Sequence, residues 1–166
     1  KEWEGLDKYK PVEKQNLIED LNTKEYELLN KKLSEASLTV LKNESDLLPL
    51  KELSTLKIAS LSIGEGEINE FQKALSSYNQ VDHFTAESLE FNSMSYLLDT
   101  LKNYTTILVS IHKSNKNPWK SYAIKNTTKD FIEEVTKLDQ SNVILTVFAN
   151  PYSLLGFEEI EKTDGL

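Results

Sequence analysis

Apolar positions along this chain change period several times. Leu17, Ile18 and Leu21, then Tyr26, Leu29, Leu33 and Ala36, recur every three or four residues. That spacing predicts two helical pieces between Glu13 and Ser37, with Asn22-Thr23 supplying the N-cap of the second. The stretch Ser37 to Leu50, SLTVLKNESDLLPL, then reads as a short strand over Leu38 to Leu41, a polar turn at Glu44-Ser45-Asp46 and an extended apolar return. Pro49 turns Leu48 away from helical angles.

Beyond Leu50 short apolar runs alternate with helical stripes. Lys57 to Ile63 and Thr106 to His112 predict buried strands, Val81 to Phe84 a short strand and Asn142 to Ala149 a further one. Between them the pattern predicts helices from Glu67 to Tyr78 (Ile68, Phe71, Leu75 and Tyr78 inward), from Ser93 to Tyr104 (Met94, Leu97, Leu98, Leu101) and from Thr127 to Leu138 (Phe131, Ile132, Val135). Pro151 to Leu155 starts a further short helix. Strand alternating with helix calls for a parallel sheet covered on both faces by right-handed crossovers. The expected fold is α/β, a flavodoxin-like three-layer sandwich with a mainly parallel sheet, preceded by an N-terminal helical connector. The expected division is residues 1–36 as connector and 37–166 as sandwich.

Composition narrows the class. At 166 residues the chain can bury a core without staples, and it has no cysteine, so thiolate and disulfide chemistry are excluded. Its 19 basic side chains are all Lys, against 27 Asp plus Glu, for a formal charge of −8. That balance argues against a nucleic-acid partner, which needs phosphate-neutralising cations on one face. No apolar run approaches the length of a membrane span. The asparagine sequons at Asn43, Asn103 and Asn126 are assigned no glycans, because a chain this rich in Asn, Ser and Thr forms them by chance.

In a doubly wound sheet, ligands sit beyond the carboxyl ends of the strands where strand order reverses. For a flavodoxin-like order that point lies between the ends of the first and third strands. Gly64, Glu65, Gly66, His112, Lys113, Asn115, Asn117 and Trp119 are therefore the candidates for a substrate cleft or interdomain surface. Gly64-x-Gly66-x-x-Asn69 has Asn where a dinucleotide fingerprint needs its third glycine, and it reads more simply as a tight strand-to-helix turn. The loop after His112 combines cations, amides and an aromatic plate, a set suited to holding a sugar or docking on an acidic neighbour. The plainer alternative is a solvated loop with Trp119 tucked onto the core. Trp3, Leu6 and Tyr9 recur at spacing three in a charged segment and are candidates for packing against a neighbouring domain. Glu133-Glu134 and Glu158-Glu159 with Glu161 read as solvated helix faces rather than a glycosidase pair. His83 and His112 belong to no ligand-spaced cluster, so no metal and no cofactor is expected.

Ala36-Ser37-Leu38-Thr39-Val40-Leu41-Lys42-Asn43 with Leu47-Leu48-Pro49-Leu50 resembles the segment that leads from the catalytic TIM barrel into the C-terminal α/β sandwich domain of family 3 glycoside hydrolases. Ile111 to Lys120, IHKSNKNPWK, is similar to the branch active on β-N-acetylglucosaminides. The resemblance implies a nucleophile on a barrel outside these residues, no catalytic residue here, and the barrel of the same polypeptide as partner. It also implies a carbohydrate at the interdomain cleft and a periplasmic or secreted parent protein. Many β-glucosidase members carry their acid/base Glu in the loop equivalent to Lys113 to Asn126, which here contains neither Glu nor Asp. That departure fits the N-acetylglucosaminidase branch. Asp164-Gly165-Leu166 reads as the lead-in to another strand, and the chain is expected to be a piece of a longer polypeptide. Two other readings remain: a free-standing binding module for a nucleotide or small anion, and a small complete hydrolase with Glu65 and Asp82 as first suspects.

Overall fold

The computed structural model describes Trp3, Gly5, Lys8, Pro11, residues 14–114, Trp119 and residues 121–166. It divides into two compact units, Lys1–Thr39 and Val40–Leu166. In the first, α1 (Leu17–Leu21) is followed by α2 (Lys24–Ser37), whose N-cap Thr23 accepts from the Tyr26 amide as the sequence leads one to expect. Neither helix buries a residue: Leu21, Tyr26, Leu29 and Leu33 are all exposed.

In the second unit four strands form one parallel sheet in the order β2-β1-β3-β4. They are β1 (Ile58–Ile63), β2 (Val81–Ala86), β3 (Thr106–His112) and β4 (Asn142–Phe148). The crossovers are α3 (Glu70–Leu75), α4 (Phe91–Leu101) and α5 (Asn126–Val135). This is the expected α/β sandwich.

The two faces of the sheet are chemically unlike. Ala59, Leu61 and Ile63 of β1 alternate onto the same face as Ile107, Val109 and Ile111 of β3 and Val143 and Leu145 of β4. That face meets Leu97 and Leu101 of α4 and Phe131, Ile132 and Val135 of α5 in the main core. The intervening positions present Ile58, Leu108 and Ile144 at the amino end, where Leu47, Leu48, Leu50, Leu53, Leu56, Leu75 and Val81 cover them. The apolar return Leu47 to Leu50 is therefore a lid on the second face.

The same face carries Ser60, level with Leu108 and Ile144, and nearer the carboxyl end Ser62 and Ser110, all fully buried. Gln72 of α3, also fully buried, serves this layer: its amide nitrogen donates to the carbonyls of Ser60 (3.2 Å) and Phe84 (3.0 Å). Its side-chain oxygen accepts from the Asn69 amide, closing a capping box at the start of α3.

Two local expectations change. Residues 38–41 form no strand; Leu41, Lys42 and Glu44 instead pair antiparallel with 164–166, which in turn bonds to Val143 and Leu145. Gly165 also bridges Ile144 in parallel, so Asp164 to Leu166 lies along the outer edge of β4. Gly165 fits between Leu48 and Ile144, where an added Cβ would lie 3.3 Å from Leu48 Cδ1. On α3, Ile68 and Tyr78 are exposed because the helix begins after Asn69 and ends at Leu75, leaving both outside its inward stripe.

Replacing Gln72 with Leu should lower stability by about 1–3 kcal/mol, because a buried amide N–H and two strand carbonyls lose their partner. Urea denaturation checks this, expected as a lower midpoint with an unchanged slope.

Candidate functional site

The strand order reverses between β1 and β3, so the predicted crevice lies at their carboxyl ends. Gly64 makes the junction possible. It has φ +103°, and a Cβ there would lie 2.2 Å from the His112 carbonyl oxygen, inside backbone of the neighbouring strand. Its amide donates to the Ala86 carbonyl at 2.9 Å, so the first turn after β1 is tied to the end of β2.

On the α3 side of this edge a polar corner is built around Asn69. Its side-chain oxygen accepts from the Gln72 amide at 2.9 Å, which fixes the orientation of the carboxamide. The amide nitrogen then faces Glu65 Oε2 (2.7 Å), Ser62 Oγ (3.0 Å) and His112 Nε2 (3.0 Å). Because that nitrogen only donates, Nε2 of His112 is an acceptor and the ring proton sits on Nδ1. Nδ1 is 3.8 Å from Glu65 Oε2, too long for a hydrogen bond. The ring stacks on Phe148, its register partner on β4, with centroids 4.6 Å apart and planes 16° from parallel; Phe71 meets Phe148 edge-on. Burial pushes the His112 pKa below the ordinary 6.5, with the Glu65 charge opposing the shift. His112 is thus a neutral, oriented acceptor rather than a cation.

On the α5 side of the same edge a cleft of about 300 Å³ opens between Gly64, Glu87, His112, Lys113, Lys125 and Thr128. Lys113 donates to the Ala123 carbonyl, which draws the loop after β3 toward the start of α5. Further along the same loops Tyr122 and Tyr152 meet at 6.1 Å, both exposed.

The structure thus brings Gly64, Glu65, His112 and Lys113 together at one edge and sets Gly66 beside them in the turn before α3. Asn115 and Asn117 lie outside the described residues, as do Leu6 and Tyr9. Trp119 is 93% exposed and not tucked onto the core, and Trp3 is 96% exposed. Asp82 is not a partner for Glu65: it pairs with Ala59 near the amino end of the sheet, where it accepts from the Tyr104 hydroxyl at 2.8 Å. Glu65 follows Ile63, and the strand between is about 13 Å long, beyond the span of a glycosidase pair. The Tyr104 hydroxyl is pushed up to about 12, first by burial and then by that hydrogen bond. Glu133 and Glu134 are engaged by Lys162 and Lys137, each at 2.7 Å. Among the described residues no group of acidic and histidine side chains is arranged to hold a metal ion, and no helix is long and apolar enough to cross a membrane.

Sequence reasoning missed Asn69 and Gln72 as the residues that build the polar corner. Their signal was present as Asn followed three residues later by Gln at a helix start, which is a capping-box spacing. Lys125 and Thr128 were missed because the proximity of α5 to the end of β1 is set by the crossover, not by local pattern.

Two changes test the corner. Gly64→Ala should cost about 2–4 kcal/mol, since it combines a left-handed backbone with a clash against main chain; urea denaturation measures it. Because the folded pKa of His112 lies below its unfolded value of 6.5, stability is fully present above pH 6.5 and falls as pH drops below it. His83, also lowered chiefly by burial, acts in the same direction. The thermal midpoint at pH 5.5 should therefore be below that at pH 7.5, and His112→Gln should flatten the dependence without abolishing it.

No family model matches the chain, and no curated protein matches it by sequence. Solved structures do. A β-glucosidase from Listeria innocua matches with TM-score 0.74 at 19% identity, over 96% of this chain and 25% of that one. Its complex with laminaribiose gives TM-score 0.73 at 18% identity, over 93% of this chain and 24% of that one. Its glucose complex gives 0.70 at 19%, over 89% and 23%. The chain spans about a quarter of the length of these enzymes. At this identity the likeness is one of fold: the chain is built as an α/β sandwich with preceding helices, like a region of these β-glucosidases.

Proposed function

We propose that this chain is the C-terminal sandwich domain of a family 3 glycoside hydrolase, supporting a catalytic barrel and lending its carboxyl edge to the wall of the sugar cleft. The observation that carries the proposal is the extent of the structural likeness. It takes in up to 96% of this chain, helices as well as sheet, yet only a quarter of the β-glucosidase, which leaves most of a glycosidase to be supplied by other residues.

The residues support an accessory role. The sequence motifs Ala36 to Asn43 and Leu47 to Leu50 resemble the family's connection into this domain, and in the fold the second motif covers the amino end of the sheet. His112 is held neutral and oriented by Asn69 at the ligand edge, where it is placed to accept a hydrogen bond or pack against a neighbour. Trp3 and the exposed apolar positions of α2 supply surface for packing on the barrel. Preference for a β-linked N-acetylglucosaminide rests on the similarity of Ile111 to Lys120 to that branch and on the missing carboxylate between Lys113 and Asn126. A periplasmic or secreted parent follows from the same resemblance.

The test is hydrolysis of aryl β-glucoside and aryl N-acetyl-β-glucosaminide by the chain alone and by the chain joined to its upstream barrel. Turnover is expected only with the barrel, and faster on the N-acetyl substrate. Turnover by the chain alone, lost in Glu65→Gln or Glu87→Gln, would overturn the accessory reading; a preference for the glucoside would overturn the specificity alone.

A further inference from the structure

The cleft between the end of β1 and the start of α5 has an electrostatic character that sugar recognition by itself does not require. The chain carries a formal charge of −8, yet two lysines, Lys113 and Lys125, line this one cleft. Among the described residues neither forms an ion pair, and the side chains at 115–118 and 120 include no carboxylate. Lys113 spends one donor on the Ala123 carbonyl, leaving two. Burial, and after it the neighbouring Lys125 charge, lower its pKa, as expected where two cations share a site without a counter-charge. Glu87, the acidic group in the lining, is exposed on the loop after β2.

Thr128 gives the second observation. It lines the same cleft from the first turn of α5 and is 6% exposed, and its hydroxyl makes no hydrogen bond among the described residues. A hydroxyl at a cleft wall that no protein group engages is available to what the cleft receives. Around it, α5 runs ten residues from Asn126, and Lys125 occupies its N-cap; the Thr128 amide bonds back to the Lys125 carbonyl, and the amides of Asn126 and Thr127 at the helix start add partial positive charge.

We propose that this cleft binds a small organic anion, holding its carboxylate or phosphate group between Lys113, Lys125 and the Thr128 hydroxyl. The geometry suits an oxyanion because two ammonium groups, a hydroxyl and a helix start are all donors. His112 closes the floor as a neutral ring, so it adds no competing charge. This goes beyond the accessory-domain reading and is measured on the chain alone, so either can fail without the other.

The experiment is a titration of the isotopically labelled chain at low ionic strength, followed by amide NMR. Inorganic phosphate and glucuronate are the probes, with glucose and matched sodium chloride as controls. Expected are saturable shifts of the Lys113, Lys125 and Thr128 amides with phosphate, with glucuronate or with both, which identifies the source of the anion, and none with glucose. Lys113→Gln with Lys125→Gln should weaken binding about tenfold or more, and the near-isosteric Thr128→Val several-fold. Shifts that stay linear and match those from sodium chloride, or affinity unchanged in the double variant, would overturn the proposal.

Discussion

Both faces of a parallel sheet must be covered, and in this chain the rest of the structure follows from how differently the two faces meet that requirement. One face of β1, β3 and β4 is wholly apolar and takes the stripes of α4 and α5. The other face mixes Ile58, Leu108 and Ile144 with buried Thr106 and Ser60, then passes through Ser62 and Ser110 to a histidine stacked on a phenylalanine. A uniformly apolar helix could not cover such a face without stranding polar atoms. The cover is divided instead between the Leu47 to Leu56 segment and a six-residue helix that carries a buried glutamine.

That division places chemistry at the carboxyl edge. Gln72 secures α3 to β1 and β2, which holds Asn69 at the helix start; Asn69 in turn orients His112 and engages Glu65. Gly64 lets the main chains of β1 and β3 approach closely enough for the arrangement to close. The polar corner and the cationic cleft sit on opposite sides of the same edge, with His112 bordering both. In the first, Asn69 ties Glu65, Ser62 and His112 together by internal hydrogen bonds; in the second, the two lysines form no ion pair among the described residues. The first behaves as structure, the second as a receptor.

The sequence by itself determined the α/β class, the four strands and their order of occurrence, because each strand is an apolar run bounded by turns and each helix a stripe at helical spacing. Thr106 to His112 and the stripe Leu97, Leu101 are legible in this way, as is the Thr23 cap. The position of the carboxyl-edge crevice followed from topology, which placed Gly64 and His112 beside it. Tertiary structure alone decided what those residues do. Residues 38–41 read as a strand but form none; the pairing with Asp164 to Leu166 falls on Leu41 to Glu44, because a ladder depends on a partner distant in sequence. Ile68 and Tyr78 read as core but are exposed, whereas polar Gln72 is buried, because two strand carbonyls needed a donor. Lys125 and Thr128 became neighbours of Lys113 only when the crossover brought α5 to the end of β1. Periodicity records which side chains leave water; it does not record which polar groups they meet once there.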